Sequence, residues 1–435
     1  MLKRVRSLAR RFLHQLIRKL ISWLPRKQRF EVFRSFADCN PAPSQRLVLK
    51  IAETKEELEA CFAVLHDAYV DSGFMKPDPS GMRVTIYHAL PATTTLCAKY
   101  DGQVVGTISL VRESALGVPL QAIFDLSPVR AKEGNIAEVS ALAIHRKFRK
   151  TGGSILFPLM KFMYEYCTTF FDTRHLVIAV NPSHIEMYES LLFFQRLTAT
   201  MVESYDFVNG APAIGATLDL KEAPEIFRKQ YSSKPPHRNL YDYFLKLKLP
   251  NIHFPNRRFF TTNDPVLTPE LLDHFFNVRT KTFENLSERQ KALLHSIYDL
   301  PEYWPVLPAL SNIQEDIPIR RHQRFSVKCP AHITVIAADG PQEIPIEVIE
   351  VSRRGFQARA HDPLPLNTWC EMTVQLGKVD TSHFRALALR ENNNGFLGYY
   401  GFRLGEPDNA WEKFVSALYR STTYSDLETA TRFLE

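Results

Sequence analysis

Apolar residues recur at three- and four-residue steps from the first position onward, at Leu2, Val5, Leu8, Phe12, Leu16, Leu20 and Leu24, with Arg4, Arg11, Arg18 and Lys19 between them. This spacing predicts an amphipathic helix that Pro25 stops. After residues 38–43 the period shortens to two. Residues 46–52 read as a strand leading into a helix capped near Thr54, with Glu56 and Glu57 in its first turn. Two alternating runs, 96–100 and 104–111, flank Asp101-Gly102, a dipeptide that supplies the positive-φ corner of a tight hairpin. A strand over 137–144, a helix from about 153 to 170, a strand over 176–180 and a helix over 183–192 follow. The order predicts a mixed α/β sheet with a hairpin in front.

Further along, Pro235-Pro236 and the Lys/Arg-rich stretch to Phe260 read as a linker, and 268–303 as helices opened by Thr268-Pro269-Glu270. Phe275, Phe276, Phe283 and Tyr298 in that run suit an ordinary core better than an acyl pocket. From residue 319, short strands with turns at Asp339-Gly340 and Asn394-Gly395 and a last helix over 411–419 predict a small antiparallel β-barrel. The expected units are a basic helix (1–30), an α/β domain (46–220), a helical connecting region (221–318) and the barrel (319–425).

Charge sharpens this division. The 435 residues carry a net +7, but residues 1–30 hold ten Lys or Arg and no acid, which leaves 44 basic and 47 acidic residues for the rest. A basic nucleic-acid groove across the folded domains is therefore not expected. The N-terminal helix is too often interrupted by charge to span a bilayer or act as a signal peptide. Its basic face, apolar stripe and Trp23 suit an anionic membrane surface; docking on its own protein is the alternative. Six cysteines, at 39, 61, 97, 167, 329 and 370, form no C-x-x-C pair, so neither a disulfide framework nor a metal site is expected, and a reducing compartment fits.

Chemistry concentrates at the turn from His145 to Ser154. Gly152 and Gly153 at a helix start let backbone N–H groups approach an anion, beside Arg146, Lys147, Arg149 and Lys150. Arg149-x-x-Gly152-x-Ser154 resembles the loop by which GNAT acyltransferases hold the pyrophosphate of coenzyme A or a carrier protein's phosphopantetheine. Asn181-Pro182-Ser183-His184 followed by Tyr188 and Leu191-Leu192-Phe193-Phe194 is similar to the GNAT segment downstream. Glu138-Val139-Ser140, His66-Asp67-Ala68-Tyr69-Val70, Gly106-Thr107-Ile108-Ser109, Gly117-Val118-Pro119-Leu120 and Asn209-Gly210-Ala211-Pro212 resemble, in order, the N-acyl amino acid synthases, which are related to acyl-homoserine-lactone synthases.

That resemblance implies attack by an amino acid's amine on a long-chain acyl thioester delivered by acyl carrier protein, with acyl-coenzyme A as the other donor and no tightly bound cofactor. Glu138 is the candidate base or amine-orienting group, and backbone N–H groups near Ser140 and Ala141 would serve the oxyanion if the strand bulges. Tyr188 is the candidate acid to sulfur, or a packing residue. Arg146, Arg149, Gly152, Gly153, Ser154 and Asn181 are the thioester-binding set, although Asn181 also suits a helix cap. Where related synthases tend to show Arg, this chain has His66, which leaves Arg112 as the candidate for the acceptor carboxylate.

In the last unit, Arg320-x-x-x-Arg324 and Glu350-x-Ser352-x-x-Gly355 resemble the paired signatures of PilZ domains. The resemblance implies cyclic di-GMP held by Arg320, Arg321, Arg324, Glu350, Ser352 and Gly355, since guanidinium forks suit phosphate and the guanine edge. The expectation is a cytoplasmic enzyme, peripheral to the inner membrane, that makes N-acyl amino acids under cyclic di-GMP control. A non-catalytic receptor with a degenerate GNAT fold, or a coenzyme A-dependent N-acetyltransferase, are the alternatives.

Overall fold

The computed structural model describes residues 23–35, 37–149, 151–205, 210–311, 324–337, 340–353, 355–393 and 398–420. Residues 1–22, and with them most of the expected basic helix, lie outside the described residues. Beyond Pro25 a helix does form, α1 (Arg26–Ser35), and its Arg26 and Arg29 pair with Glu189 and Glu186 at 2.9 and 2.5 Å. Trp23 just ahead of it is 85% exposed.

The alternating segments form one mixed sheet. Strand β1 (Leu47–Ile51) leads into α2 (Lys55–Asp71), where the Thr54 side chain accepts the Glu57 N–H as the sequence predicts. Strands β2 (Thr93–Tyr100) and β3 (Gln103–Arg112) form the expected hairpin, with Asp101 and Gly102 both at positive φ. Next come β4 (Asn135–Ile144), α3 (Leu156–Thr169), β5 (Thr173–Val180), α4 (Pro182–Leu191), β6 (Gln195–Arg196), β7 (Val202–Tyr205) and β8 (Ala211–Asp219). The sheet order is β1-β2-β3-β4-β5-β8-β6, with β7 on β8, and β4 and β5 run parallel. Helix α3 lays Leu159, Phe162 and Tyr166 on one sheet face, which closes the main core of this half. This is the GNAT-like arrangement.

The segment expected as a linker is instead built into the fold. After α5 (Ala223–Tyr231), a π-helical turn (Asp242–Lys246) buries Tyr243 and Phe244 in the α3 core. Residues 257–264 then form a strap between the two halves. Phe259 and Thr261 bridge to Gly377 and Val327 of the barrel, while Arg257 reaches back to Tyr166 and Asp264 at 2.5 and 2.6 Å. Spacing alone could not reveal this, because the strap's partners lie up to 170 residues away. Thr268 caps the next helix as predicted. The run continues as a π-helical stretch and α6 (Glu288–Ile297), with Phe275, Phe276, Phe283 and Tyr298 fully in the core.

The last unit is a closed antiparallel six-stranded barrel of β9 (Phe325–Ala337), β10 (Gly340–Ser352), β11 (Gly355–Ala360), β12 (Trp369–Gln375), β13 (Thr381–Asn393) and β14 (Gly398–Leu404). Helix α7 (Asn409–Tyr419), capped by Asp408, sets Trp411 edge-on against Phe356 and Phe384 and so plugs the barrel. One apolar cluster runs from the plug through the barrel and α6 to Phe62 on α2. Among the described residues no helix is long and apolar enough to cross a membrane, and no cluster of His, Cys, Asp or Glu suits a metal ion. All six cysteines are buried and unbridged.

Candidate active site

The parallel ladder between β4 and β5 runs only from Asn135–Thr173 to Glu138–Val177, although β4 continues to Ile144 and β5 to Val180. Beyond Glu138 the strands part. On its other edge β4 shifts register against β3 between Thr107 and Ser109, and Ala141 adopts φ 54°, the bulge on which the sequence reading placed its oxyanion donors. A non-glycine residue at positive φ is strained, and such positions cluster where geometry serves chemistry.

Glu138 lies at the point of parting. It is 3% exposed, accepts the Leu120 N–H at 2.7 Å and has no ion-pair partner among the described residues. Burial therefore pushes its carboxyl up to about 8, against the opposing pull of that one hydrogen bond. Tyr69, Tyr87 and Tyr205 are all close enough to feel its charge, which together with burial raises their phenols.

A small cavity beside it is lined by Tyr69, Arg83, Tyr87, His88, Ser140 and Ala141, among others. The Arg83 guanidinium stacks over the Tyr69 ring at 4.4 Å. Burial and the nearby Arg83 hold His88 down to about 4, so its ring is neutral, and its Nδ1 accepts the Thr85 N–H. Tyr188, from α4, is half-buried against Phe194, and burial first and Tyr69 second raise its phenol to about 12. Its hydroxyl has no hydrogen-bond partner among the described residues and stays protonated at neutral pH. Glu138 and the bulge thus share this place with Tyr69, Arg83, Tyr87, His88 and Tyr205, and Tyr188 approaches it at Tyr69. Of these additions only Tyr69 stood in a motif; nothing in the spacing singles out Arg83.

The turn predicted to hold phosphate closes the other end of β4. Gly152 and Gly153 both have positive φ, and a Cβ on Gly153 would meet the Phe157 ring at 2.6 Å, so that position requires glycine. Thr151 and Ser154 hydroxyls lie 2.6 Å apart, and Phe157 N–H donates to the Gly153 carbonyl, turning the loop into α3. Arg146 and Lys147 are exposed. Arg149 is tied to the Ile144 carbonyl at 2.7 Å and to Asp71 at 3.0 Å. Asn181 accepts from the Ser183 N–H and hydroxyl at 3.0 and 2.8 Å, the helix-capping alternative.

One expected position falls elsewhere. Arg112 pairs in register with Ala137 while its neighbour Val111 pairs with Glu138, so Arg112 points to the opposite sheet face from the base. Its Nη1 donates to the Thr262 carbonyl and Asn263 Oδ1, both at 2.7 Å, in the strap. It cannot hold an acceptor next to Glu138. His66 accepts the Asp78 N–H at 3.0 Å and anchors a loop.

In the barrel, Arg320 and Arg321 lie outside the described residues. Arg324 pairs with Glu350 at 3.0 Å, across the strand start where the signatures place them. The Ser352 hydroxyl donates to the Gly355 carbonyl at 3.0 Å, and a Cβ on Gly355 would strike the Phe402 carbonyl at 2.3 Å. Both residues therefore shape the turn between β10 and β11.

Comparison with known proteins bears on this geometry. Residues 60–219 match the family model of the N-acyl amino acid synthase FeeM. The solved structure of FeeM, an N-acyl amino acid synthase from uncultured soil microbes, is 26% identical over 41% of this chain and 94% of that one, with a TM-score of 0.35. The coenzyme A-dependent acyl-homoserine lactone synthase BjaI is 17% identical over 48% and 93%, with a TM-score of 0.35, and the acyl-homoserine lactone synthase LasI 16% over 41% and 91%, with a TM-score of 0.31. No curated protein sequence matches the chain. The matched stretch contains Glu138, the bulge, the glycine turn and Tyr188, and the match marks the chain as an acyltransferase similar to the N-acyl amino acid synthases.

Proposed function

We propose that the chain moves a long-chain acyl group from an acyl carrier protein thioester to the amine of an amino acid, and that cyclic di-GMP bound at the barrel regulates it. The observation that carries the reading is a buried carboxyl, met by one backbone N–H and raised to about 8, at the point where β4 and β5 part.

The amino acid arrives as an ammonium ion and must lose a proton before attack. A carboxyl near 8 is ionised under mildly alkaline conditions, and so can take that proton and become neutral. The nitrogen then attacks the thioester carbon, and the bulged backbone around Ala141 supplies N–H donors for the oxyanion. Collapse breaks the C–S bond, Tyr188 gives its proton to the sulfur, and the second proton that the nitrogen sheds restores the phenol. Arg83, at the cavity wall beside Tyr69, is the cation that suits the acceptor carboxylate in place of Arg112. Exposed Arg146 and Lys147 favour an acidic carrier protein, and the same turn would accept coenzyme A phosphates. Cyclic di-GMP would have to compete with Glu350 for Arg324. The exposed Trp23 and the ten basic residues of 1–30 favour a place at the inner face of an anionic membrane, where the lipid product would partition.

The test is mass spectrometry of lipids from bacteria expressing the wild-type chain or Glu138→Gln. A long-chain N-acyl amino acid present with the first and lost with the second is the expected result; no new lipid with either sinks the reading. Supplying purified acyl carrier protein thioester or acyl-coenzyme A in vitro separates the two donors.

A further inference from the structure

Between the transferase sheet and the barrel lies a cavity of about 470 Å³, walled by Leu90, Leu116, Leu293 and Ile297 and by three guanidinium groups, Arg112, Arg289 and Arg324. Two carboxylates share it, and each is already engaged: Glu350 with Arg324, and Glu113 with Arg130 at 2.5 Å. Arg112 and Arg289 have no ion pair among the described residues. Among the described residues the Arg289 side chain makes one hydrogen bond, to the Ala115 carbonyl at 3.3 Å, and the residue is exposed.

Arg112 is 8% exposed, yet among the described residues only its Nη1 makes hydrogen bonds, all to neutral oxygens of the strap, and Nε and Nη2 make none. Burial of this cation is costly and pulls it down to about 10, with Asp264, Asp172 and Glu350 opposing that pull from a distance and none of them paired with it. An anion entering the cavity would bring a negative charge into contact and take up the idle donors. The apolar remainder of the wall suits flat heterocycles.

We propose that this cavity is a composite site in which Arg112 and Arg289 from the transferase side and Arg324 from the barrel side grip the phosphates of one cyclic dinucleotide. The proposal rests on the reading of the barrel as a cyclic di-GMP receptor and adds that the transferase forms half of the site. It also gives regulation a short route. Arg112 is the residue next to Val111, which pairs with Glu138, so a ligand pulling on Arg112 acts on the strand beside the base.

Calorimetry of cyclic di-GMP on the full chain tests it with wild type, Arg324→Ala and Arg289→Ala, the last an exposed position whose loss leaves the fold intact. Both variants are expected to weaken binding at least tenfold. Loss with Arg324→Ala but wild-type affinity with Arg289→Ala overturns the composite site and leaves the receptor reading standing. A wild-type chain that binds no cyclic di-GMP overturns both.

Discussion

Around Glu138 and around Arg257 the chain buries ionisable groups to similar depth, 3% and 9% exposed, but surrounds them differently. Arg257 meets Asp264, Tyr166 and two backbone carbonyls, and Asp264 also receives the Thr94 hydroxyl. Glu138 meets one backbone N–H. A buried ion that meets an opposite charge and several acceptors keeps its charge and fixes the joint between two layers; one left with a single donor has a displaced proton affinity, which is what a proton-transfer step needs. On the proposed function, the contrast separates a group that holds this molecule together from one that acts on a substrate.

Substitution at each centre should therefore fail in a different way. Glu138→Gln keeps the shape but removes the base, and acyl transfer is expected to fall by a factor of about 10² to 10⁴ with no loss of stability; retained turnover would remove Glu138 from the chemistry. Asp264→Ala leaves Arg257 as a lone buried cation, and denaturant unfolding should show about 3–5 kcal/mol lost. A smaller cost would mean that water reaches the strap.

Arg83→Ala is expected to raise KM for the amino acid about tenfold or more while kcat changes less, as for a contact made equally in ground and transition states. If kcat falls instead and KM holds, Arg83 positions Tyr69 rather than the substrate.

The pH dependence sharpens the comparison further. Glu138 rises from an unfolded value of about 4.3 to about 8 in the folded chain, so the folded state binds its proton more tightly. The stability this contributes is complete below about pH 4 and disappears as pH climbs through 8. Wild type should lose stability relative to Glu138→Gln between pH 5 and 8 and run parallel above, while kcat/KM rises towards pH 8 as the base ionises. A flat difference would show the carboxyl to be hydrated.

The smallest effect separates a cap from a ligand. Asn181→Ser should change stability by a few tenths of a kcal/mol, because serine also caps, and should leave the donor KM unaltered. A raised KM would give Asn181 a substrate contact beyond its bonds to Ser183.

Local features were legible in the sequence for local reasons. Asp101-Gly102, the Thr54 and Thr268 caps, the glycine turn and the Glu138 strand each depend on residues within about five positions, and the structure shows all of them. What depends on distant partners was not legible. Arg112 was one residue out of register with the face that matters, a difference fixed only by its pairing with Ala137. Arg83 stands in a loop without a pattern, and its meaning comes from Tyr69 stacked on it. The stretch before Phe260 has a linker's composition but carries Arg257, which finds Tyr166 91 residues earlier.

The strap also orders the birth of the molecule. Ribosomes deliver the transferase first, and nascent domains fold roughly in that order. Arg257 can lock onto Tyr166 before Phe325 has been translated, leaving Phe259 to Thr262 as a ready-made rim on which β9 aligns, through Thr261 beside Val327 and Thr262 N–H to the Ser326 carbonyl at 3.0 Å. A fragment containing only the barrel lacks that template and should refold more slowly than the same strands in the intact chain, measurable by stopped-flow fluorescence of Trp411.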